Sequence, residues 1–258
     1  MTAIKIVYRS ALLVTMMLTG CMMTIVFHST RRTETGHALA QKANRWWHRN
    51  ITRVMGVDVR VFGKPADNTT LFIANHISWF DINALGSIVP VRFLAKIEVK
   101  KMPIMGWLAS RAGTLYIHRG GKTAASDTID SMTEALKQDH HVVLFAEGTT
   151  QDGTINRFHS RLVQSAINAE CHVQPVAIRY PSVNHEQVHP AALFIGDTTI
   201  GQSIFNMMTA KNLVAEIHFL EPIKTNGKQR DELASYAEQR VRALIENATG
   251  AKQKTQYC

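Results

Sequence analysis

Cysteine is scarce in this chain: Cys21, Cys171 and Cys258 are odd in number, far apart and free of metal-ligand spacing. A disulfide framework and a structural zinc cluster are therefore not indicated, and a reducing compartment fits best. Acidic residues are also few, 20 against 29 lysines and arginines, for a formal net charge of +9. Internal repeats, low-complexity tracts and linkers are absent, so the chain from about residue 50 onward reads as one domain. At 258 residues and 45% hydrophobic content, there is enough material for a full α/β core.

A basic excess of this size allows nucleic acid, an anionic membrane or acidic substrates as partners, and its distribution decides between them. Residues 1–62 hold nine basic side chains against only Glu34 and Asp58. This excess flanks an uncharged, mostly apolar run of 18 residues from Ser10 to Phe27, the lower limit for crossing a bilayer. Arg31, Arg32, Lys42, Arg45, Arg49 and Arg53 follow it and outnumber Lys5 and Arg9 before it, which predicts that the folded domain stays on the cytoplasmic side. Whether the run spans or lies in one leaflet stays open. Leu18-Thr19-Gly20-Cys21 has the look of a lipoprotein cleavage site, but Met22 to Phe27 stay apolar where a polar tether should begin. Trp46-Trp47 would suit the headgroup zone, or one of them the core. A nucleic-acid arm is disfavoured because nothing in the segment resembles a groove-reading or stacking module. Residues 1–50 thus read as a membrane-associated helical segment with a basic flank, 51–250 as the folded domain and 251–258 as a frayed tail.

The chemistry-bearing stretch is Asn75-His76-Ile77-Ser78-Trp79-Phe80-Asp81, reached from the apolar run Leu71 to Ala74 through a strand-to-helix turn. A neutral imidazole can accept a proton near neutral pH, and a carboxylate on its other nitrogen fixes the tautomer and stabilises the imidazolium. Positions five apart on an ideal helix diverge by about 140°, so the pair meets only if His76 lies in the turn and Asp81 in the first helical turn.

Downstream, Gly113 to Arg119 reads as a short strand delivering an arginine to the same edge, where its planar fork of donors would match a phosphate. Val142 to Phe145 reads as a buried parallel strand opening on Ala146-Glu147-Gly148-Thr149, again polar groups at a strand's carboxyl end. A helix near Pro103 carries Met, Ile, Trp and Leu behind Lys96, Lys100 and Lys101; it could lie against lipid, line an acyl channel or be buried core. Other expected elements are helices over Trp79–Gly86, Ala124–Gln138, Phe158–Ala169 and Asp231–Ala248. Strands are expected over Val57–Phe62, Val91–Ile97, Val173–Tyr180, Ala192–Ile195 and Leu213–Leu220. His185-Glu186-Gln187-Val188-His189 matches the zinc-hydrolase pattern His-Glu-x-x-His, but Pro181 and Pro190 bracket it within about two turns and leave little room for the helix that chemistry needs.

In order and spacing, Asn75-His76-x-Ser78-x-x-Asp81, Gly113 to Arg119, Phe145-Ala146-Glu147-Gly148-Thr149 and Val173-Gln174-Pro175-Val176 resemble the conserved blocks of glycerolipid acyltransferases, typified by bacterial 1-acylglycerol-3-phosphate acyltransferase. The resemblance covers about residues 70–180. It implies an α/β fold, a single mixed, mainly parallel sheet flanked by helices, with an N-terminal apolar membrane helix. It also implies an enzyme that needs no metal or cofactor beyond acyl-CoA or acyl carrier protein as acyl donor, and that works at the phospholipid surface of the cell membrane. Carried over, His76 would be the base and Asp81 its orienting partner. Arg119 would bind an acceptor phosphate, and Glu147, Gly148 and Thr149 would shape the acceptor site, with Asn75 and Ser78 beside the base; Asn75 could position the thioester or its oxyanion. Two departures bear on the acceptor: Ala146 replaces the family's usual proline, and Thr150 a second arginine. The implied acceptor is 1-acylglycerol-3-phosphate, giving phosphatidic acid, with lyso-ornithine lipid as the alternative. A non-catalytic lipid-binding protein would keep the membrane segment and lack turnover.

Overall fold

The computed structural model describes residues 3–30, 33–117, 124–182 and 188–254. Two long helices come first, α1 (Ala3–Thr30) and α2 (Glu34–Met55). Thr33 caps α2, its hydroxyl accepting from the Gly36 amide, and Gly56 ends it in the left-handed conformation at φ 75°. A β-carbon at Gly56 would lie 2.6 Å from the Arg9 guanidinium, which donates to the Met208 carbonyl at 2.6 Å. One cation of α1 thus sits at the carboxyl ends of two helices, where the carbonyl dipoles favour it. Further along the hairpin, the Trp47 indole lies against Gly20 and donates to the Met16 carbonyl at 2.7 Å. Trp47 is therefore a packing residue, while Trp46 is half-exposed.

Among the described residues the domain is built on an eight-stranded sheet. Its strands are β1 (Asp58–Phe62), β2 (Thr70–Ala74), β3 (Val91–Lys96), β4 (Leu115–Ile117), β5 (His141–Phe145), β6 (His172–Arg179), β7 (Val214–Phe219) and β8 (Ile223–Lys224). The order is β1-β7-β6-β2-β5-β3-β4, with β8 pairing β6. From β6 to β4 every neighbour is parallel; β7 runs antiparallel to β6 and parallel to β1. The sheet is mixed and mainly parallel, with β2 and β5 at its centre.

Alternation along β2 explains the layering: Phe72 and Ala74 enter one core, Leu71 and Ile73 the other. The first core is closed by α2, α3 (Asp81–Gly86) and α8 (Ile200–Thr209), and the second by α6 (Ala124–Lys137), α7 (Gln164–Asn168) and α9 (Arg230–Lys254). Two further helices, α4 (Ile97–Lys100) and α5 (Met105–Arg111), connect β3 to β4. α1 stacks on α2 and also touches α5 and α8.

Leu213, Ala215, Ile217 and Phe219 are the buried side of β7, as their alternation requires. Ala192–Ile195 is not a strand: Pro190–Ala192 forms a 3-10 turn behind His189, with proline at its first position, and the chain continues without a ladder. The helix expected over Phe158–Ala169 starts only at Arg161, as a 3-10 turn; ahead of it the Phe158 amide donates to the Glu238 carboxylate.

Candidate active site

β2, β5 and β6 are adjacent and parallel, so their carboxyl ends open together on one edge of the sheet, where ligands bind in open α/β folds. From β2 comes His76, in the turn, and Asp81, at the first position of α3. The two side chains meet: His76 Nδ1 lies 2.8 Å from Asp81 Oδ2. The same oxygen accepts the amides of Ile77 and Ser78 at 2.8 and 3.0 Å, so the carboxylate organises the turn that presents the histidine. The Asp81 amide in turn donates to the Ser78 carbonyl.

Asp81 is completely buried, and an unpaired carboxylate there would be costly. Its second oxygen accepts the hydroxyl of Tyr180, the residue just beyond β6, at 2.6 Å. Burial, then the negative charge of Asp81, pushes the Tyr180 hydroxyl well above its ordinary pKa, so it remains a donor. Because the carboxylate only accepts, it selects the tautomer with a hydrogen on Nδ1, which in a neutral ring leaves the lone pair on Nε2.

His76 is fixed in three further ways. Its ring stacks on Phe145 with centroids 4.0 Å apart and planes at 14°. Its amide donates to Glu147 Oε2 at 2.8 Å, and its carbonyl accepts the Gln151 amide at 2.8 Å. The loop after β5 therefore grips the backbone of His76 on both sides. Glu147 spends its other oxygen on the Asn156 amide at 2.9 Å. Burial raises the Glu147 pKa, and the Asn156 and His76 amides oppose that.

The remaining sequence candidates fall as follows. Asn75 is buried and reads back the ladder: Oδ1 accepts the Ile178 amide at 2.8 Å and Nδ2 donates to the Ile178 carbonyl at 3.0 Å. Both its polar atoms thus extend the β2–β6 pairing. Ser78 is buried in the Asp81 turn, its hydroxyl accepting from the Phe80 amide. Gly148 takes φ 71° in a turn closed by its amide on the Phe145 carbonyl, and Thr149 is exposed beside it. Thr150, in the position of the missing arginine, donates to the Phe194 carbonyl at 2.5 Å. Arg119 lies outside the described residues, as do His185 and Glu186. His189 is described: its Nδ1 accepts the Ala191 amide at the head of the 3-10 turn.

Sequence reasoning passed over Tyr180, Phe145 and Gln151 as site residues. Tyr180 had one signal, being a polar-tipped aromatic at the end of an apolar strand, which must find a partner if buried. Behind the site, His48 of α2 bonds Asn83 Oδ1 at 3.1 Å, and burial lowers its pKa to about 4. Its ring lies against Gly86, where a β-carbon would come within 2.7 Å, so α2 is seated directly on α3.

The protein-family comparison matches residues 58–179 to the Acyltransferase family. The lyso-ornithine lipid O-acyltransferase of Pseudomonas aeruginosa is 39% identical over 210 residues, covering 80% of this chain and 80% of its own. The 1-acyl-sn-glycerol-3-phosphate acyltransferase of Neisseria meningitidis is 29% identical, over 76% of this chain and 78% of its own. Among solved structures, the 1-acyl-sn-glycerophosphate acyltransferase of Thermotoga maritima superposes with a TM-score of 0.73 at 22% identity, covering 95% of both chains, which shows the fold. With the sheet, the N-terminal apolar helix and these relatives in agreement, the chain belongs to the acyltransferase family of lyso-ornithine lipid and 1-acylglycerol-3-phosphate acyltransferases and is an O-acyltransferase of lysophospholipid type.

Proposed function

We propose that this enzyme moves a fatty acyl group from an acyl thioester, of coenzyme A or acyl carrier protein, to the free hydroxyl of lyso-ornithine lipid. His76 is the general base and Asp81 its orienting partner. Nε2 removes the acceptor's hydroxyl proton as the oxygen attacks the thioester carbonyl; the new C–O bond forms, the C–S bond breaks, and the thiolate leaves with the proton returned from the imidazolium. Thiolate is a good leaving group, so positioning and base catalysis suffice. The observation that carries this is the 2.8 Å contact of His76 Nδ1 with a buried carboxylate that has three other donors.

The choice of acceptor rests on two supports. The lyso-ornithine relative is 39% identical over most of both chains, and Thr150 stands where the family's third block commonly has an arginine, a second candidate phosphate ligand. A second reading, transfer to 1-acylglycerol-3-phosphate, is favoured by the Neisseria relative and by Arg119, a cation suited to phosphate. Lipid mass spectrometry on cells with and without the gene tests both. Accumulating lyso-ornithine lipid supports the first reading; accumulating 1-acylglycerol-3-phosphate with unchanged ornithine lipids replaces it with the second.

Membrane association is the setting. The apolar stretch Ile4–Phe27 of α1 has a mean hydropathy of 2.0 and is almost wholly unburied. Its contacts with α2, α5 and α8 lay it along the domain, which supports seating in one leaflet over a span. The cations after α1 support a cytoplasmic-side domain.

A further inference from the structure

The connection from β3 to β4 leaves the sheet at the same edge as His76 and forms a compact knob of α4 and α5. It is compact because Gly106, at the start of α5, touches the carbonyls that end α4: a β-carbon there would lie 2.3 Å from the Lys100 oxygen and 2.6 Å from that of Val99. The side chains at its tip nevertheless point outward. Met102, Met105 and Trp107 are exposed, Trp107 at 39%, and Ile104 is 58% exposed.

The backbone at Ile104 makes that exposure more telling. It takes φ 60° and ψ −60°, with the Met105 amide bonded to the Pro103 carbonyl at 2.5 Å, a three-residue turn. A left-handed φ is strained for a β-branched residue, and glycine would make this turn without that strain. What isoleucine adds is apolar area at the most forward point of the knob.

Two neighbours identify what meets that area. α5 touches α1, whose outer stripe of Val7, Val14, Leu18, Met22 and Ile25 is exposed and apolar, so the tip continues the surface of the membrane-associated helix. Lys96, Lys100 and Lys101 are exposed at the base of the tip, with Lys100 Nζ 5.5 Å from the centre of the Tyr116 ring. An apolar tip with three lysines and one acid, Glu98, at its base carries a net positive charge complementary to a lipid leaflet with anionic headgroups.

We propose that residues 100–107 are a second membrane contact, which inserts Ile104, Met105 and Trp107 into the leaflet that holds α1 while Lys96, Lys100 and Lys101 meet anionic headgroups. Because the knob and His76 leave the same sheet edge, this contact holds the site at headgroup depth, where a lyso-lipid presents its hydroxyl. The inference rests on the membrane association of α1 and is independent of which acceptor is used.

The test uses the full chain in vesicles of phosphatidylethanolamine and phosphatidylglycerol doped with phosphatidylcholine brominated on its acyl chains. Trp107→Phe removes a quenchable share of tryptophan emission, and Ile104→Trp placed in that background restores it. Ile104→Asp lowers the ratio of activity on bilayer-presented acceptor to activity on micelle-dispersed acceptor by about tenfold. Quenching unchanged by Trp107→Phe, with none added by Ile104→Trp, overturns the proposal. So does quenching by a brominated acyl thioester in place of brominated lipid, which would make the knob a wall of the acyl-chain site. A mass doubled in detergent and reverted by Ile104→Asp would instead assign the tip to a second copy of the chain. Absence of acyl transfer to lyso-ornithine lipid by the unaltered chain, with the lipid quenching intact, would count against the proposed acceptor and leave the contact standing.

Discussion

The Tyr180 hydroxyl donates to Asp81 Oδ1 at 2.6 Å across 99 positions of sequence, while Asp81 Oδ2 holds His76. The acid of the pair is therefore anchored from β6 as well as from its own turn. Hydrogen bonds to a charged group are worth about 1.5–3 kcal/mol, and a freed carboxylate oxygen would lose both its partner and its direction. Tyr180→Phe is expected to lower kcat about tenfold with KM little changed, since Tyr180 is fully buried with its hydroxyl on Asp81. Steady-state kinetics at fixed lipid composition check this; an equal rise in KM with kcat retained would assign Tyr180 to binding.

Glu147 accepts one amide with each oxygen, from His76 and from Asn156. Glu147→Gln keeps the shape but turns one acceptor into a donor facing an N–H group, so one of the two amides loses its partner. The expected loss is about 1–3 kcal/mol of stability together with activity, because the amide of His76, the proposed base, is among those at risk. Thermal unfolding and turnover measured on the same preparation test it. Unchanged stability with lost activity would instead place Glu147 on the acceptor.

Acid should weaken the seat of α2 on the domain. His48 is held neutral, with its pKa lowered from 6.5 to about 4 by burial, and the hydrogen bond to Asn83 only partly offsets that. Above pH 6.5 it is neutral folded or unfolded. Between pH 6.5 and about 4 the unfolded chain takes a proton that the folded one refuses, so stability falls with falling pH, by about 3 kcal/mol in all at one pKa unit per 1.36 kcal/mol. His140, lowered to about 4, and His141 and His218, also lowered by burial, act in the same direction. Denaturant unfolding of the detergent-solubilised chain from pH 7 to pH 4 measures the slope, and His48→Asn should flatten it. A slope unaffected by that change would remove His48 from the account.

The dyad was legible in the sequence because its parts are local: an apolar strand, a turn and a carboxylate five positions on, which can meet only in a strand-turn-helix. The central strands were equally plain, since Leu71 to Ala74 and Val142 to Phe145 are continuous apolar runs of the kind a parallel sheet buries on both faces. Side-chain destinations set by distant elements were not legible. Asn75 reads as a polar group next to the base, yet its amide is spent on Ile178. Glu147 reads as part of the acceptor site, yet both its oxygens face backbone amides. Tyr180 needed the β2–β6 register to be known. Helix α2 was hidden because its polar composition resembles a solvated basic flank, and only docking against α1 and α3 gives its apolar face a purpose. The false strand at Ala192–Ile195 was a short apolar run with no neighbour to pair with, which propensity cannot detect.

Acyl transfer from a thioester by purified His76→Ala protein, read beside its thermal midpoint, tests the central claim most directly. The account predicts turnover reduced by about a thousandfold or more with the midpoint close to that of the unaltered chain, since the imidazole is the proposed proton acceptor and its removal leaves the Asp81 turn with its two amides and Tyr180. Turnover equal to that of the unaltered enzyme, in a protein that still folds, would contradict it.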